Sequence, residues 1–164
     1  MLFEIKKFKS FTGMEGPGFN ADLHVDGRLA ASVIDGGDGG EPHFRWTSKG
    51  IEAQVSAHIA SLPAEPLDPD AEQWERDMYP NGRTWTLDGF MAMLIDRHET
   101  LRSLKRRCSK SILFVMPGME PGQYFAKKGE FTPESKAAIL ARRPSAQFLN
   151  EHLEDGEWES ILRP

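Results

Sequence analysis

The chain has 164 residues, of which 39% are hydrophobic and 27% charged, which excludes a disordered, fibrous or membrane-embedded class and makes one soluble domain over residues 1–164 the expectation. No apolar run approaches the ~18 residues of a spanning helix, and no apolar stretch of signal-peptide length opens the chain, so a cytoplasmic location is expected. A net charge of -5 is modest, and the lone cysteine, Cys108, excludes an intrachain disulfide or a cysteine metal cluster within one chain.

The first 46 residues read as strands. Phe3, Ile5 and Phe8 mark a β-favouring segment ending near Ser10, followed by a turn-prone stretch at 12–18. In residues 19–25 the apolar side chains Phe19, Ala21, Leu23 and Val25 alternate with Asn20, Asp22 and His24, which is the period of a half-buried strand. Asp26-Gly27 follows and readily takes the positive φ angles of a tight turn, so residues 28–34 are predicted to return antiparallel. A glycine-rich break at 35–42 precedes a short strand at 43–46.

Helices follow. Ser48 is placed to cap a helix carrying Ile51, Val55, Ile59 and Leu62, which Pro63 ends. A proline-rich connector at 63–69 leads to a short acidic helix at 71–78. The longest predicted helix, 87–108, is capped by Thr86 or Asp88 and carries Leu87, Phe90, Met91, Leu94, Ile95, His98, Leu101, Leu104 and Cys108 at steps of three and four. Residues 112–116 and 123–126 read as a second hairpin. Thr132-Pro133 starts a helix running to about Arg142, and Pro144 separates it from a last helix with Phe148, Leu149 and Leu153. The fold class is therefore α+β, with an antiparallel sheet joining the N-terminal strands to the C-terminal hairpin and helices on one face.

Charge is segregated along the chain. Residues 65–77 hold six acids against Arg76, residues 97–110 hold six bases against Glu99, and residues 151–159 hold five acids. On a helix, Arg102, Lys105 and Arg106 share one face, and with Arg107 and Lys110 they form a ridge able to meet an acidic protein or phosphates. The helix dipole favours such cations, and the acidic blocks of the chain can neutralise them. A stacking surface for single-stranded RNA would need exposed aromatics on adjacent strands, for which Phe19, Phe44, Trp46, Tyr124 and Phe125 are available by type.

Other candidates are weighed by their context. Gly13 to Gly18 superficially suggest a phosphate loop, but a strand follows, no Gly-Lys-Ser/Thr ending is present, and Pro17 removes an amide donor. Asp35, Asp38 and Glu41 place three carboxylates in a flexible loop, a donor type that divalent cations accept, although glycine-rich turns use the same residues. The five histidines are scattered without zinc-ligand spacing, and His98 lies on an apolar helix face. Cys108 is in cationic surroundings that can lower a thiol pKa, yet its spacing also fits a small core residue. Trp74, Trp85 and Trp158 lie in or beside acidic segments and read equally as partner anchors or loop staples. No cofactor is expected.

The segment Phe8-Lys9-Ser10-Phe11, followed by Gly13-Met14-Glu15-Gly16-Pro17-Gly18-Phe19-Asn20-Ala21 and later Asp26-Gly27, resembles the opening of small proteins carried by phages, prophages and plasmids. The resemblance covers roughly the first 46 residues and a vaguer hairpin and helix ending at 124–150. It implies an accessory protein of a mobile element that binds host machinery or inhibits its defences, with a host or phage protein as partner. It transfers no functional residue. The expectation is thus a non-enzymatic interaction protein, with nucleic-acid binding through Arg102, Lys105, Arg106 and Arg107 as the alternative. A small enzyme using His98, Cys108 or the acids at 35–41 is the third reading.

Overall fold

The computed structural model describes residues 1–162, which divide into two compact units, Met1–His98 and residues 99–162. The first unit is a four-stranded antiparallel sheet in the order β1 (Phe3–Thr12), β2 (Pro17–Val25), β3 (Arg28–Asp35) and β4 (His43–Trp46). The predicted hairpin is present: Val25 faces Arg28 across Asp26 (φ 49°) and Gly27 (φ 77°), the left-handed pair a two-residue hairpin turn demands. Ala21, Leu23 and Val25 of β2 are buried with Ala31 and Val33 of β3, as the alternation requires. Over them pack α1 (Lys49–Ser61) through Val55 and Ile59 and the first part of α3 (Leu87–Cys108) through Phe90, Met91 and Leu94. Ser48 Oγ accepts from Ile51 N–H at 3.2 Å, the predicted cap, and Thr86 Oγ1 accepts from Gly89 N–H at 3.0 Å. Between these helices lies α2 (Gln73–Met78), closed at its start by a reciprocal cap of Glu72 and Glu75.

The two glycine-rich stretches interlock. The carbonyl of Gly37 accepts from the amides of Glu15 and Gly16 at 2.8 and 3.1 Å, and Gly13 N–H reaches Gly16 O at 2.7 Å. A Cβ on Gly37 would meet Gly16 O at 2.6 Å, and one on Gly13 would meet Gly36 O at 2.4 Å. Glycine is needed here because two backbones touch.

The second unit has its own sheet, in the order β6 (Phe125–Lys128), β5 (Ser111–Val115), β7 (Gln147–Phe148). The α+β class holds, with antiparallel N-terminal strands, a C-terminal hairpin and helices, but the hairpins belong to two sheets instead of one. β5 has β6 and β7 as its neighbours, so neither of its sides is open to an N-terminal strand. It is buried on both faces. Leu113 and Val115 join Leu104, Leu149, Trp158 and Leu162, while Ile112 and Phe114 join Ile139 and Phe148.

Several predicted bounds shift: β1 runs on to Thr12 and β2 already begins at Pro17, α2 starts only at Gln73, and β5 covers Ser111–Val115. β6 starts two residues later than expected because the turn continues through Gln123, whose amide donates to Glu120 O at 3.1 Å. The helix α4 (Pro133–Leu140), capped by Thr132, stops short of Arg142. Phe148 is in a strand and Leu149 starts a 3-10 turn, so the last helix is instead α5 (Trp158–Leu162). Phe148 pairs with Phe114 across the sheet, and burying that ring in the strand core overrides its helical spacing.

Candidate functional site

The basic end of α3 belongs to the second unit and is largely exposed. Leu104 enters the core at 2% exposure and Leu101 packs beside it, which turns Arg102, Lys105 and Arg106 outward on the opposite face. Lys105 Nζ lies 2.8 Å from Glu154 Oε1, so the acidic tail does neutralise one cation of the ridge. Both groups are well exposed, and such a pair contributes about 0–1 kcal/mol. Arg107 donates from Nη1 to the Tyr124 hydroxyl and stacks over that ring at 5.5 Å. Arg102, Arg106 and Lys110 are exposed, and among the described residues no carboxylate lies within 4.0 Å of them.

Folding adds cations that the sequence left apart. Lys127 and Lys128 come from β6, and Arg142 and Arg143 follow α4; among the described residues these also lack ion-pair partners. Lys110 is tied to this region because its carbonyl accepts from Gly129 N–H at 3.2 Å, and Tyr124 brings Arg107 beside the start of β6. The local signal in the sequence was only two dibasic pairs, Lys127-Lys128 and Arg142-Arg143. Their convergence depends on strand pairing and on the packing of Ile139 under α4.

Most of the other candidates are accounted for by structural roles. His98 is half-buried, with its ring 5.7 Å from that of Phe8. Burial pushes the Cys108 thiol up, opposite to the shift that would make a ready nucleophile. The rings of Phe8 and Phe19 meet tilted at 6.0 Å and those of Phe44 and Trp46 stack at 5.6 Å, all against the first core. Trp85 meets Phe90 edge-on at 6.4 Å and Trp158 is 2% exposed, so both staple their own units. Trp74 is 55% exposed, with its indole N–H given to Glu72 at 2.6 Å.

The acids at 35–41 are engaged with their own backbone. Asp35 Oδ1 accepts from Gly37 N–H at 2.8 Å and Asp38 Oδ1 from Gly40 N–H at 3.2 Å, while Glu41 is exposed. The amides of Glu15 and Gly16 in the first glycine cluster are likewise taken by Gly37 O, so they are not free to cradle a phosphate. Among the described residues, the grouping whose ligand atoms all lie within 4.8 Å is His152, Asp155 and Glu157. His152 Nδ1 is 3.0 Å from Asp155 Oδ2 and 3.1 Å from Glu157 Oε2. The Glu157 backbone amide, with a smaller contribution from His152, holds the Asp155 carboxyl below its ordinary range. One imidazole nitrogen and two carboxylates suit either a protonated histidine or a divalent cation.

Comparison with protein-family models, curated proteins and solved structures finds no match to this chain. No helix among the described residues is long and apolar enough to cross a membrane.

Proposed function

We propose that the protein is a non-enzymatic binding protein, an accessory or anti-defence factor of a mobile element, that captures an acidic host protein on the basic face of its second unit. The observation that supports this most is the exposure of Arg102, Arg106 and Lys110 without a carboxylate in reach among the described residues. Unpaired cations on an otherwise acidic chain are a surface that attracts and orients an acidic partner and speeds encounter. The mobile-element setting comes from the opening motif alone.

Nucleic-acid binding would use the same cations. The two are separated by capturing partners from a nuclease-treated bacterial lysate on the wild-type protein and on an R102E/R106E/K110E variant. A protein retained by wild type and lost from the variant, with matching circular dichroism for the two baits, is the expected result. The same proteins on both baits, or proteins retained from an untreated lysate and lost from the nuclease-treated one, would overturn the proposal.

A further inference from the structure

The second sheet ends in an open strand. Gly129 N–H donates to Lys110 O, which makes 110 and 129 a hydrogen-bonded pair. In an antiparallel ladder such pairs alternate with non-bonded ones. The register then makes Ile112/Lys127 and Phe114/Phe125 bonded pairs, and leaves Ser111/Lys128 and Leu113/Ala126 non-bonded. Leu113 agrees with this, since its amide donates to Asn150 Oδ1 at 2.8 Å on the other side of β5. The N–H and C=O groups of Ala126 and Lys128 therefore point away from the sheet. Among the described residues β6 has only β5 as a neighbour, and all four of its residues are exposed.

A cavity of about 420 Å³ adjoins this edge, lined by Phe114, Phe125, Lys127, Ile139, Arg142 and Arg143. The Arg143 guanidinium lies 4.4 Å from the Phe125 ring centroid and 5.3 Å from that of Phe114, and the two rings stack at 5.4 Å. Phe125 is 42% exposed. A guanidinium held over a ring is oriented in advance and leaves N–H groups for a carboxylate. With Lys127 and Arg142 it makes the cavity cationic. Lys128 carries positive charge on the opposite face of the strand, because successive side chains alternate.

We infer that the β6 edge and this cavity form a docking site for an extended acidic peptide segment, which adds to the sheet as a further strand. Main-chain bonds to Ala126 and Lys128 supply attraction independent of sequence, and alternate acidic side chains entering the cavity supply selectivity. The lysines choose the occupant. They repel a second β6 edge from another copy of this chain, as lysines on edge strands do, and attract an acidic strand. The inference rests on the binding function proposed above and names the chemistry of the partner.

The test uses a fluorescent peptide of alternating aspartate and valine, followed by anisotropy with the full-length protein. Methylating the peptide's alternate backbone nitrogens should weaken binding about tenfold or more, and so should R142E/R143E. Ala126→Pro removes an outward N–H without removing a ladder bond, and should weaken binding to a similar extent. The methylated peptide leaves the protein unaltered, so the result does not depend on how the variants fold. Equal affinity for the two peptides would overturn the strand-addition site. So would binding of single-stranded DNA in preference to the peptide, or sedimentation showing that the protein self-associates through β6. If β6 changes leave binding untouched while R102E/R106E/K110E still loses its captured protein, the binding function stands and this site falls. Capture that survives all of these changes removes the function itself.

Discussion

Replacing Asn150 with alanine removes three contacts from one side chain. Its Oδ1 accepts from the Leu113 amide at 2.8 Å, and its Nδ2 donates to Ser111 O at 3.1 Å and Cys108 O at 3.4 Å. These bonds tie the end of α3 and the first half of the central strand to the chain that follows β7. Leu113 is fully buried, so its amide would be left in the interior without its partner. A bond of this kind contributes about 0.5–1.5 kcal/mol, and stranding a buried donor costs about 1–3 kcal/mol. Discounting the long contact to Cys108, Asn150→Ala should lower the stability of the second unit by about 2–3 kcal/mol. Urea unfolding followed by the Trp158 indole resonance reads this unit, because Trp158 lies in its core. Amide exchange at Leu113 should accelerate in step. Asn150→Asp keeps the acceptor but loses both donors, and should also destabilise. A loss below about 0.5 kcal/mol with Leu113 still protected would refute the argument, since that is the scale of an ordinary surface change.

Three further outcomes follow from the packing and charge arrangement. Gly37→Ala should destabilise by more than about 2 kcal/mol, because a left-handed φ of 63° is combined with backbone contact at 2.6 Å. Gly39→Ala meets only the end of the Glu15 side chain and should cost less; equal melting temperatures for the two variants would contradict the interlocked loops. Asp22 is held below the ordinary carboxylate range, first by its hydrogen bond with Lys7 at 2.9 Å and also by the Ser32 hydroxyl. Its stabilising effect is therefore complete above the ordinary range and fades as pH falls through the lower folded value. Stability measured against pH should show wild type and Asp22→Asn separated above the ordinary carboxylate range and converging as pH falls through the lowered folded value; a constant gap would contradict this. The Cys108 thiol, pushed up by burial, should react with a disulfide reagent at neutral pH more slowly in the folded protein than in urea. Faster reaction in the folded state would restore the nucleophile reading.

Local pattern made much of the first unit legible. Strict alternation over residues 19–25 and the Asp-Gly turn specify the β2–β3 hairpin, and three- and four-residue spacing specifies α1 and α3, because both signals act between near neighbours. The irregular features depend on distant partners. β1 contains a bulge between Lys6 and Lys9, with Lys7 at φ 50° and its ammonium on Asp22, and no local motif announces it. Trp158 is flanked by acids that suggest a solvated tail, yet its ring is in the core with Leu104 and Leu162. The basic helix end was visible as a charge run. The open edge of β6 was not, because its meaning comes from the register with β5 and from the way α4 brings Arg143 onto Phe125.

The central claim is that the basic face of the second unit receives an acidic strand along the edge of β6. It is tested most directly by following the backbone amide resonances of the labelled protein while the aspartate-valine peptide is added. The account predicts that the largest shifts fall on Ala126, Lys128, Arg142 and Arg143, with the Ala126 and Lys128 amides gaining protection from exchange. Shifts concentrated in residues 1–98, or unchanged spectra at saturating peptide, would contradict it.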